Sequence, residues 1–137
     1  MKTKHFVGLG LLLTLFIACN KDEGNASCEK LRGTWQCQSW KESGEEALAP
    51  SGLITSSQIN FDTLDGDHGT YHWDINFLLA GSENIIGAYV VNQDCDQVTL
   101  TPKDGVPVMY DFKFEGETLI LDQTNNSAIT ELKFTKD

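Results

Sequence analysis

The 137-residue sequence predicts an all-β domain, an eight-stranded antiparallel up-and-down β-barrel, with a two-sheet β-sandwich as the alternative. Three observations lead there. From residue 32 onward apolar residues alternate with polar ones over short runs, and no window of useful length carries a 3.6-residue period. The runs are separated by brief links rich in turn formers: "LDGDH", "AGSE", "DCD", "KDG", "EGE" and "TNNS". Short links join antiparallel neighbours, and a meander whose strands each carry an apolar face buries those faces and loses both sheet edges by closing on itself.

Eight segments carry the alternation. The first, "RGTWQCQSWK" (32–41), places Trp35 and Cys37 on one face. "SQINFD" (57–62) sets Ile59 and Phe61 against polar partners, and "GTYHWDINFLL" (69–79) aligns Tyr71, Trp73, Ile75, Phe77 and Leu79. "NIIGAYVVN" (84–92) is apolar on both faces. "QVTLTP" (97–102), "PVMYDFKFE" (107–115), "TLILDQ" (118–123) and "ITELKFT" (129–135) complete the set. Pro102 and Pro107 fall at strand ends, where a missing N–H costs least. One link is long: residues 42–56, "ESGEEALAPSGLITS", either a functional loop or a variable surface loop.

The N-terminus has a different character. Lys2 and Lys4 precede an apolar run, Phe6–Ala18, of about 13 residues, short of the roughly 20 that span a membrane. This fits a signal peptide over 1–18. "FIAC" (Phe16–Cys19) resembles a bacterial lipobox, which implies cleavage before Cys19 and lipid attachment, palmitate among the acyl chains, at that residue. Several acyl chains hold a protein on a membrane where one holds it only marginally. Lys21, Asp22 and Glu23 resemble the export signal of Bacteroidetes-type surface lipoproteins. The expected organisation is a signal peptide (1–18), a lipidated Cys19 with a flexible tether (19–27), and a barrel domain (28–137), placed on the outer membrane and facing outward.

The net charge is −10, and removing residues 1–18 takes away two lysines and no acids, leaving −12. Such a surface repels nucleic acid and anionic head groups, so the expected partner is the membrane through its lipid, not through a basic patch, and the chain is expected to be a monomer.

Gly33 and Trp35, in "LRGTW" at the start of an eight-strand meander, resemble the Gly-x-Trp signature of the lipocalins. The resemblance covers residues 31–135 and is closest to the lipocalin-like domains of Bacteroidetes lipoproteins. It implies that Trp35 closes one end of the barrel, that Gly33 lets a neighbour pack beneath it, and that the long first loop overhangs an open end. Lys133 stands on the last strand where lipocalins carry an arginine over the tryptophan, and "FEGET" replaces the usual Thr-Asp-Tyr link. In this topology Cys28 and Cys95 both lie at the closed end, which implies a Cys28–Cys95 disulfide and a buried free Cys37; a Cys37–Cys95 bridge is the rival.

The resemblance also implies a small hydrophobic or amphipathic ligand. Its candidate site is the barrel interior and mouth: Trp35, Phe61, Tyr71, Trp73, Phe77, Leu79, Tyr89, Phe112 and Phe114, with Leu119 and Leu121 beside them. The competing reading is a filled core in a module that engages a protein or glycan through its loops. His68, His72 and Asp74 share the polar face of their strand and read as solvated surface rather than metal ligands. "DTLDGD" (62–67) reads as turn chemistry rather than a calcium loop. No nucleophile elbow, phosphate loop or zinc signature is present, so neither an enzyme nor a cofactor is expected.

Overall fold

The computed structural model describes residues 28–123 and 130–137 and shows a closed antiparallel barrel. Its strands are β1 (Gly33–Glu42), β2 (Glu45–Glu46), β3 (Ile54–Phe61), β4 (His68–Phe77), β5 (Gly81–Val91), β6 (Gln97–Pro102), β7 (Val108–Glu115), β8 (Thr118–Gln123) and β9 (Thr130–Lys136). Every consecutive pair from β3 to β9 is hydrogen-bonded, and β1 pairs with both β3 and β9, which closes the ring and excludes the sandwich. The two-residue β2 is an extra segment that folds the long loop back onto the end of β1.

The strands divide the molecule into two ends. Trp35 lies at the closed end, fully buried, its indole N–H donating to the Leu31 carbonyl at 2.7 Å. Leu31 follows a helical turn at Cys28–Lys30 and plugs the barrel beneath Trp35. Gly33 has φ +118°, and a Cβ there would meet the Lys136 side chain at 2.8 Å. The absent side chain thus lets Lys136 cross to the Trp35 ring, its ammonium 5.2 Å from the ring centroid. Lys133, expected in that role, instead points outward to Glu131 at 3.5 Å, because alternation from buried Leu132 and Phe134 turns it to the opposite face.

The Cys28–Cys95 disulfide joins the plug to the β5–β6 turn, with Cα atoms 5.2 Å apart, and Cys37 is free and buried. Cys95 sits at positive φ in a turn held by Asn92, whose side-chain oxygen accepts from the backbone N–H groups of Asp96 and Gln97.

Two paired glycine–tyrosine contacts pack the barrel from its floor to its middle. In the β4–β5 register Gly69 faces Tyr89 and Tyr71 faces Gly87. A Cβ on Gly69 would lie 2.7 Å from the Tyr89 ring, and one on Gly87 would lie 2.8 Å from the Tyr71 ring. Each ring lies across the backbone of its partner glycine, which packs two large aromatics into a narrow barrel.

Two irregularities revise the expected pattern. The β1–β9 register shifts between Cys37 and Ser39, and this bulge reverses the parity of the strand. Trp40, outward by strict alternation from Trp35, therefore packs inward against Trp73 at 5.5 Å. The second concerns β4, which ends at Phe77 rather than continuing to residue 79. Phe77 pairs with Gly81, whose φ of +81° closes a three-residue hairpin, so Leu79 leaves the strand for the turn tip.

Candidate functional site

The open end is where β1 and β4 finish and β3 begins. Its wall is built from two connections. The β1–β2 hairpin is held by Glu46, whose carboxylate accepts from the Trp40 backbone N–H (2.8 Å), the Leu48 N–H (3.1 Å) and the Ser39 hydroxyl (2.8 Å). Burial raises the Glu46 carboxyl, but these hydrogen bonds, with the nearby Lys41 charge, outweigh it and hold the group below the usual carboxylate range. The β4–β5 turn is tied to the long loop by the Leu78 N–H, which donates to the Leu53 carbonyl at 2.8 Å.

Between these connections lies a solvent-open cleft of about 590 Å³. Ala47, Leu53, Ile54 and Phe77 give it an apolar side, and Glu42, Glu45 and Glu46 an acidic one. Leu53 (63% exposed), Leu78 (60%) and Leu79 (87%) stand at this rim, an apolar cluster facing water. Trp40, half-buried, packs against the core here and donates its indole N–H to Glu42 at 3.0 Å.

The nine candidate site residues separate by depth. Trp35, Phe61, Tyr89 and Phe112 form a packed floor that water does not reach, with Phe61 edge-on to Tyr89 at 5.1 Å. Phe114 is at the closed end, 5.8 Å from Trp35 and capped by the Lys30 ammonium at 4.6 Å. Trp35, Phe61, Tyr89 and Phe112 are thus packed among neighbouring side chains, and Phe114 is partly buried beside them, as a narrow barrel allows. Tyr71 and Trp73 occupy the middle, where the buried Ser57 hydroxyl accepts from the Trp73 indole at 2.8 Å. Phe77 and Leu79 alone of the nine reach the open end, the second from the turn tip. Burial pushes the Tyr89 and Tyr110 hydroxyls up to about 12, so both stay neutral and the interior carries no phenolate.

Sequence reasoning missed Trp40 and Glu42. Both follow the bulge, and no residue in "WQCQSWK" announces one. The long loop between them and β3 was the available signal. Cys19, the lipid-attachment candidate, lies outside the described residues.

On the outer face His68 pairs with Asp67 (3.1 Å), and His72 with Asp74 (3.4 Å) beside Asn84, two separate exposed pairs. Among the described residues no three His, Cys, Asp or Glu side chains converge on a metal position. In "DTLDGD", Asp62 accepts the Thr70 hydroxyl at 2.7 Å and Asp65 exchanges backbone bonds with His68, which accounts for the loop by turn chemistry.

Comparison with known proteins follows the same architecture. The family model described as a lipocalin-like domain matches residues 31–121. No curated protein matches. Among solved structures, a redesigned β-barrel superposes with a TM-score of 0.60 at 12% identity, covering 81% of this chain and 95% of its own. The siderocalin Ex-FABP, described as functioning through dual ligand specificities, gives 0.52 at 6% identity over 79% and 74%. A point mutant of the fluorescent protein UnaG gives 0.50 at 13% over 80% and 97%. At these identities the solved structures show a shared fold. The family match begins at the Leu31 plug and runs through the Gly-x-Trp strand into β8, and on it the chain belongs to the lipocalin-like domain family.

Proposed function

We propose that this protein is a lipid-anchored surface lipoprotein whose barrel binds a small hydrophobic or amphipathic molecule at its open end. The observation that carries the ligand reading is the contrast between a packed floor and a rim that leaves Leu53, Leu78 and Leu79 in water beside a cleft with one apolar side. Exposed leucines gathered around a concavity favour an apolar occupant. Membership of a lipocalin-like family, and likeness to a siderocalin with dual ligand specificities, support binding over catalysis.

Anchoring rests on the lipobox-like "FIAC" and on where the domain starts. Eight residues separate Cys19 from Cys28, nine Cα steps and a reach of roughly 30 Å when extended. The disulfide fixes Cys28 to the closed end, so a lipid on Cys19 would hold that end toward the membrane and turn the mouth away. The acidic surface keeps the domain off anionic head groups.

Apolar dyes that quench tryptophan emission test the ligand reading. Binding should perturb Trp40 and Trp73, and Phe77→Ser should weaken it about tenfold, the loss of one large apolar contact. Undisturbed emission with every dye would instead favour a protein- or glycan-binding module, the reading supported by outward-facing Ile86, Val90 and Met109 on β5 and β7. For anchoring, Cys19→Ala should move the protein from the membrane to the soluble fraction.

A further inference from the structure

Resting on the open-end reading above, we infer that the mouth selects amphipathic cations: small molecules with an apolar body and a protonated amine or quaternary ammonium head. The cleft has two unlike sides. Leu53, Ile54 and Phe77 supply apolar surface, and Glu42, Glu45 and Glu46 supply carboxylates on the facing hairpin. The β1 bulge creates this arrangement, because it turns Trp40 and Glu42 to the barrel side of the strand together.

The three carboxylates are not equivalent. Glu46 is occupied by three hydrogen bonds that hold the hairpin. Glu42 accepts a single bond, from the Trp40 indole, and Glu45 accepts none among the described residues. Neither forms an ion pair among the described residues. Lys41 is the cation of this hairpin; it lies opposite Glu46 and Glu131 in register and is not part of the cleft lining. Two carboxylates with unused acceptor capacity therefore border an apolar surface, so one cleft offers contacts to both a positive head group and an apolar body. The net charge of −10 steers cations toward the whole molecule and repels anions. A bare metal ion is a poor fit, because among the described residues no three ligating side chains converge.

Three probes with chains of eight carbons separate charge from apolar contact: octyltrimethylammonium, octanoate and octanol, titrated against the full-length chain and read by tryptophan emission. The cation should bind about tenfold more tightly than the anion, with the gap narrowing as salt is raised. Glu42→Gln with Glu45→Gln should bring the cation and anion together while leaving octanol unchanged. The change keeps an acceptor for the Trp40 indole N–H, since an amide oxygen takes the carboxylate's place, and an unaltered urea midpoint should accompany it. Octanoate binding as tightly as the cation, or a cation preference that persists in the double variant, would overturn the charge selection and leave the open-end reading standing. Binding of none of the three probes would overturn both.

Discussion

The two ends of this barrel are built on opposite terms. At the closed end the tryptophan and the plug beneath it are buried and tied down. Trp35 is hydrogen-bonded to Leu31, roofed by Lys136 and packed on Phe114, while a disulfide ties the plug to a distant turn. At the open end leucines face water, and two carboxylates have capacity to spare. On the proposed reading, the comparison teaches that stability and recognition are placed at opposite ends. The closed end rigidifies the ring, which leaves the open end free to carry groups that contribute little to folding.

The strongest way to break this comparison is at Trp35. Trp35→Ala removes a fully buried indole and its hydrogen bond, and should cost about 3–5 kcal/mol in urea unfolding. A loss below about 1 kcal/mol, the range of ordinary surface changes, would refute the account of the closed end.

Next in size is the disulfide. It closes a 67-residue separation, and Cys28→Ser with Cys95→Ser should cost roughly 2–4 kcal/mol, matched by reducing the natural protein. The same samples test Cys37. Burial pushes its thiol up to about 12, so iodoacetamide should label it only once the barrel is unfolded. Labelling in the folded state would show that the bulge region opens.

A smaller effect lies on the outer wall, where Asp111, Asp122 and Glu131 are cross-strand neighbours on β7, β8 and β9. Burial, reinforced by Glu131 and Asp111, raises the Asp122 carboxyl above its ordinary value. Folding thus favours its protonated form. That contribution is full below the unfolded-state pKa and is lost as pH rises through the higher folded value. Asp122→Asn should therefore stabilise at neutral pH by about 0.2–1 kcal/mol, with the advantage disappearing in acid. Equal gains at both pH values would discard the charge explanation.

The smallest stability change should come from the open end. Leu53→Ser and Leu79→Ser should each shift unfolding by less than about 0.5 kcal/mol, while weakening the capture of apolar probes. Stability losses comparable to those at Trp35 would erase the distinction between the ends.

Much of the closed end was legible in the chain. Gly33 and Trp35, eight alternating runs and short turns led to the barrel, and topology placed Cys28 beside Cys95. The open end was less so. Trp40 and Glu42 reach the mouth through a one-residue register shift, which local alternation cannot register. Leu79 leaves the expected face because Gly81 closes the turn early. Lys136, not Lys133, covers Trp35 because parity is set by where the strand pairs, not by distance from the chain end.

The sequence by itself determined the fold class, the strand order and most of the buried face, because those follow from period-two burial and turn chemistry, both local properties. Only the tertiary structure decided which buried residues fill the barrel and which reach its mouth. That division depends on ring closure, on the bulge, and on tyrosine rings that lie over glycines of the neighbouring strand. All three are relations between strands, and no single strand carries them.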